Sequence, residues 1–148
     1  MTVWRDKIVG YRAWRFDDGR LCPVGFREGA AWHAGCNTAV CQRAHVAPAA
    51  DCTCGLYALR DWWMLTAVGE EGVYGAVCAW GRLEVHAGGF RAQYAEVVAV
   101  ALHSSAMRSR VGLVGGVARG LGVPFVDLGD LEVVGLEHGV PCPLGPDS

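Results

Sequence analysis

The sequence predicts an α+β protein: a β-rich N-terminal two-thirds, with antiparallel hairpins around a Cys/His metal loop, followed by an α-β-α C-terminal segment. Three observations carry that prediction. Residues 73–102 are rich in strand formers and break at a Gly-Gly pair. Residues 27–55 lack steady periodicity yet hold four of the seven cysteines. From residue 104 onward the spacing turns helical and is punctuated by Ser, Gly and Pro.

In chain order, IVGYRAWRF (8–16) alternates in part and reads as a strand. Asp17-Asp18-Gly19 signals a turn, and RLCPVGF (20–26) returns as a hairpin partner with Pro23 at an edge or strand end. The segment 27–55 is rich in Gly, Ala, Cys and Pro. A segment that long needs a reason to be ordered, and a bound metal is one. In LYALRDWWMLTAVG (56–69), Leu56, Leu59, Trp63 and Ala67 fit one face of a short helix. The strands VYGAVCAWG (73–81), RLEVHAGG (82–89) and FRAQYAEVVAVAL (90–102) follow, with Gly88-Gly89 as a hairpin turn.

Ser104 or Ser105 caps a helix over about 106–121, with Met107, Val111, Val114 and Ala118 at helical spacing. Its glycines make it a poor helix by propensity, so packing must hold it. Gly122 ends it, and PFVDL (124–128) reads as a short strand. Asp130 then caps a last helix over about 130–138, closed by Gly139 and Pro141. GYRA (10–13) and GFRA (89–92) form one short internal echo, each opening a strand with an aromatic, an Arg and an Ala.

At 148 residues the chain fits a single domain, 1–148, and 52% apolar residues suffice for a real core. A net charge of −2 gives no basic footprint for nucleic acid. Twelve of the thirteen basic residues are Arg, a habit of high-GC genomes. No apolar run is long enough for a signal peptide or a bilayer span, so the expectation is a soluble cytoplasmic protein with no membrane role. In that compartment an odd number of cysteines argues against a disulfide framework. Reduced thiols there serve as metal ligands or as small buried residues.

The soft ligands concentrate in about 32–55: His33, Cys36, Cys41, His45, Cys52 and Cys54. Structural zinc takes four Cys or His ligands in a tetrahedron. Cys52 and Cys54 reach one ion if the chain turns between them, with Gly55 permitting close approach. HVAPAADC folds back through Pro48 to bring His45 to Cys52. The fourth ligand is assigned to Cys36, with Cys41 in reserve and His33 a further candidate. The resulting Cys3His set, Cys36, His45, Cys52 and Cys54, suits structural Zn2+ in a binding or regulatory protein whose partner is another protein. The alternative cofactor is a [2Fe–2S] cluster for electron transfer or redox sensing, since mixed Cys/His ligation also occurs there. A metal-dependent enzyme ranks below both, because four protein ligands close the site and Asp51 is the only local carboxylate.

No phosphate loop, G-x-S-x-G or H-E-x-x-H motif is present, and the single lysine is Lys7. The motif order W..GC (32–36), H-x-A-P (45–48), C-x-C-G-L-Y-A (52–58), AWGRLEVH (79–86) and GFRAQYAE (89–96) resembles a group of small uncharacterised proteins of high-GC Gram-positive bacteria and their phages. Its most specific piece is H-x-A-P-x3-C-x-C-G-[IL]-Y-A. The resemblance implies the same four ligands, with Cys41 as a local addition, and no established activity.

Overall fold

The computed structural model describes residues 1–17, 19–23, 31–67, 72–102 and 108–145, with backbone only at 108 and 109. Among them the chain forms β1 (Thr2–Asp17), β2 (Arg20–Cys22), β3 (Asn37–Thr38), β4 (Leu56–Leu59), β5 (Val73–His86) and β6 (Gly89–Leu102). Helix α1 (Arg108–Leu121), β7 (Phe125–Asp127), helix α2 (Leu131–Leu136) and β8 (Val140–Pro141) complete it. The class is α+β, as expected.

Three long antiparallel strands make the frame. β1 runs against β5 from Trp14↔Val73 to Thr2↔Leu83, and β5 turns at Ala87-Gly88 into β6. Their side chains alternate between two apolar cores, as period-2 geometry requires. Ile8, Trp14, Val77, Leu83, Phe90 and Val100 feed one core, which Val114 and Ala118 of α1 cover. Val9, Tyr11, Ala13, Tyr74, Ala76 and Ala99 feed the other, covered by Leu65 and by Leu131 of α2. Both faces are buried, so the central strand residues read as nearly continuous apolar runs. Packing through Val114 and Ala118 is what holds the glycine-rich α1.

β4 lies between β6 and β1. It pairs with β6 from Leu56↔Ala92 to Leu59↔Gly89 and touches β1 at Tyr11↔Leu59. The path β1–β5–β6–β4 therefore returns to β1 and leaves little exposed edge there. Space inside the ring is tight. A Cβ on Gly10 would lie 2.6 Å from the Phe90 ring and 2.7 Å from Ala58 Cβ. Gly10→Ala is expected to destabilise the protein by about 1–3 kcal/mol through overpacking, read as a lower urea midpoint with unchanged m.

Sequence and structure differ at several points. The α-helix expected over 56–69 is not formed over its described residues, 56–67: Leu56–Leu59 is strand β4, and Trp62–Ala67 is a 3-10 turn, while 68 and 69 lie outside the described residues. The alternating Leu-Tyr-Ala-Leu finds strand partners on both sides, and that pairing overrides a weak local preference. β1 begins at Thr2 rather than residue 8, and β5 runs unbroken where two strands were expected, its irregularity between Trp80 and Leu83 absorbed at Gly81. The last helix is shorter than 130–138 and follows a 3-10 turn at Leu128–Asp130. Asp130 holds its N-terminal position without a side-chain capping bond. Gly122 does end α1, with φ +70°. The proposed caps Ser104 and Ser105 lie outside the described residues, as does Met107.

Gly10–Ala13 and Gly89–Ala92, the two echoed tetrapeptides, lie on the two strands that flank β4. Their arginines are both buried, Arg12 at 7% and Arg91 at 5% exposure. No helix is long and apolar enough to cross a membrane among the described residues.

Candidate metal centre

The loop from Ala39 to Gly55 joins β3 to β4 and is anchored at its start by Ala39 N–H donating to Gln93 O at 2.8 Å. Two tight turns shape it. Ala44 N–H donates to Cys41 O at 3.0 Å, with Ala44 in the left-handed region at φ +62°, and Cys52 N–H donates to Ala49 O at 3.2 Å. Ala47 and Ala49 are buried beneath the loop. Gly55 leads into β4 at φ +135°, and a Cβ there would sit 3.0 Å from Arg91 Cβ and 3.2 Å from Pro48 Cβ. Glycine is needed for both the dihedral and the approach.

These turns bring one ligand atom each from Cys41, His45, Cys52 and Cys54 to within 4.8 Å of one another. Cys41 Sγ and Cys52 Sγ are 3.7 Å apart. Zinc–sulfur bonds of about 2.3 Å in a tetrahedron place two sulfurs about 3.8 Å apart, so this edge already has the length an ion asks for. His45 Nδ1 is buried and has no hydrogen-bond partner. The nearest carboxylate oxygen, on the solvent-exposed Asp51, is 4.0 Å away. A metal ion is the partner that such an imidazole nitrogen, set among three thiols, would take.

The set differs from the expected one in one member. His45, Cys52 and Cys54 are brought together as expected, but the fourth place goes to Cys41, the reserve, and not to Cys36. Cys36 is exposed, its Sγ 3.8 Å from Asn37 O. The cause lies in Asn37. Its buried side chain donates to His33 O at 3.0 Å, Gly35 O at 3.3 Å and Ala95 O at 3.4 Å, and accepts from His33 N–H at 2.9 Å. That knot starts β3 directly after Cys36 and holds it before the strand, whereas Cys41 lies beyond the strand in the turn leading to His45. His33 is exposed with Nδ1 2.7 Å from Ala34 O and is also outside the group.

Arg91 is the residue that the ligand pattern did not indicate. Its Nη1 donates to Cys54 O at 2.9 Å and to Cys52 O, and its Nη2 donates to Ala49 O at 2.8 Å. The other side of the guanidinium forks onto Glu84, Nη2–Oε2 3.1 Å and Nε–Oε1 3.3 Å, across the β5–β6 pair Glu84↔Arg91. One buried cation thus holds three carbonyls of the ligand loop. The signal for it was the GFRA echo: its twin Arg12 donates to Tyr57 O at 3.0 Å in β4.

Comparison of the chain with protein-family models, curated proteins and solved structures finds no match. The site is therefore read from its own chemistry.

The thiols are not equivalent. The Cys54 backbone N–H, with help from the neighbouring thiols and His45, lowers the Cys52 thiol to about 6. Burial raises Cys54. Cys52 is thus the thiol of the group readiest to ionise, and a bound cation would draw protons from the rest. None of the cavities of about 720, 140 and 280 Å3 is lined by these four residues, although the second borders the loop at Ala39, Val40 and Gly55.

Proposed function

We propose that Cys41, His45, Cys52 and Cys54 hold one structural zinc ion, and that the ordered loop serves a small binding or regulatory protein. The observation that carries this is the cluster itself: four soft ligands of one loop within 4.8 Å, with a 3.7 Å sulfur–sulfur edge. Four protein ligands complete a tetrahedron and leave no position for water or substrate, which favours a structural over a catalytic ion. A [2Fe–2S] centre divides its ligands between two irons, so a group compact enough for one ion favours zinc. Three thiolates and a neutral imidazole around Zn2+ sum to a net charge of −1, and the Arg91 guanidinium, shared with Glu84, lies behind the loop.

The partner in this reading is another protein. Val40 and Val46, next to Cys41 and His45, are 82% and 59% exposed, so the loop displays apolar side chains that an ion would hold in place. Zinc thiolates persist where thiols stay reduced, which assigns the protein to the cytoplasm.

Elemental analysis of anaerobically purified protein tests the site. Wild type and Cys36→Ser are expected to carry about one zinc per chain, and Cys41→Ser well under half of that. A brown preparation containing iron, or a Cys36→Ser protein that loses zinc while Cys41→Ser keeps it, would overturn the assignment.

A further inference from the structure

We infer that Cys41 and Cys52 form a peroxide-sensitive switch, in which oxidation joins the two sulfurs as a disulfide and discharges the zinc ion. The inference rests on the zinc reading above and assigns that site a regulation.

The geometry selects this pair. The two sulfurs are 3.7 Å apart across a sequence separation of eleven residues. A disulfide needs them at about 2.05 Å, a closing of under 2 Å. The backbone on the Cys52 side is already pinned by Arg91 through the carbonyls of Ala49, Cys52 and Cys54. On the Cys41 side it is pinned by the Cys41–Ala44 turn and by Ala39 on Gln93. Side-chain rotation can therefore supply the movement. A Cys52–Cys54 link would close a ring with a single residue between, where stiff short closures are costly. Cys52 is partly exposed and open to a small oxidant, while Cys41 lies at 9% exposure behind it. That is the order of an attacking and a resolving thiol.

The step balances with a peroxide as oxidant. The Cys52 thiolate attacks the O–O bond and, with one proton, gives a sulfenic acid and one alcohol or water. The Cys41 thiolate attacks that sulfur, and with a second proton the hydroxyl leaves as water. Two electrons pass from the two sulfurs to the peroxide. His45 and Cys54 remain as two ligands, too few for a closed tetrahedron, and the ion leaves to solvent. Two of the protein's other thiols, Cys78 and Cys142, are poor competitors, since burial pushes both up to about 11; Cys36, which is exposed, is removed in the test below.

The experiment starts from zinc-loaded Cys36→Ser protein, so that Cys41 is the one cysteine between Arg27 and Arg43. Hydrogen peroxide is added with a chromogenic zinc indicator, and the product is digested and mapped by mass spectrometry. The expected result is release of about one zinc per chain, a cross-link between Cys41 and Cys52 localised by fragmentation, and zinc rebinding after a dithiol reductant. Zinc retained with the thiols intact would overturn the switch while leaving the zinc site standing. So would release accompanied by a Cys52–Cys54 link or by sulfinic acid. Protein that never binds zinc would remove the site reading and the switch together.

Discussion

Arg91→Met is expected to destabilise the protein by about 3–5 kcal/mol, since three backbone carbonyls lose their donor at about 1–3 kcal/mol for each one left unsatisfied. In a domain of this size that corresponds to a loss of about 6–20 °C in melting temperature. The cost does not come mainly from the Glu84 pair, whose carboxylate side chain is 40% exposed and so well screened. It comes from the carbonyls of Ala49, Cys52 and Cys54, which lose a buried donor that no nearby side chain replaces. Arg91→Lys is expected to recover less than half, since an ammonium cannot span both the fork on Glu84 and three carbonyls. A methionine variant melting within about 2 °C of wild type would show that the loop does not depend on this contact.

The pair also sets a pH dependence. Hydrogen bonding from Arg91 holds the Glu84 carboxyl below its ordinary range. Because the folded value is the lower one, the contribution is full above the unfolded carboxylate pKa of about 4.3 and is lost as pH falls through the folded value. Wild type and Arg91→Met should accordingly differ less in melting temperature at pH 3 than at pH 7.

What was legible in the sequence follows from which forces act locally. The strands of residues 73–102 and the strand at 125–127 are runs of β-branched, aromatic and small apolar residues bounded by Gly or Pro, and they were legible as strands. Segment 56–59 carries a pattern that suits helix or strand, and only β6 and β1 on either side decide it. The candidate metal-binding residues show the same division. Cys52, His45 and Cys54 were legible because a turn at Pro48 and a C-x-C-G step are local features. The choice of Cys41 over Cys36 depends on Asn37 reaching Ala95, a contact 58 residues away that no spacing argument contains. Glu84 was hidden for the same reason, and Arg91 was marked only by the short echo of GYRA in GFRA, which does not say that the cation serves a distant loop.

Removing the metal is expected to separate the loop from its frame. The two apolar cores are built chiefly from β1, β5, β6 and the helices and include none of Cys41, His45, Cys52 and Cys54. Far-UV circular dichroism of chelator-treated protein should therefore keep its strand signal, while amide protons of residues 41–54 exchange much faster. Stability should still fall. Free zinc at about 1,000 times its dissociation constant contributes about 4 kcal/mol by mass action, or about 8–16 °C in melting temperature for a chain of this length. Cys41 and Cys52 would then be free thiols near each other, so the apo protein should also alkylate faster than the zinc form at both positions. A melting curve and an alkylation rate unchanged by EDTA would remove the case for a structural ion. Loss of the strand signal would mean that the ring of strands needs the ion to close, and that β4 is ordered by the metal loop rather than by its neighbours.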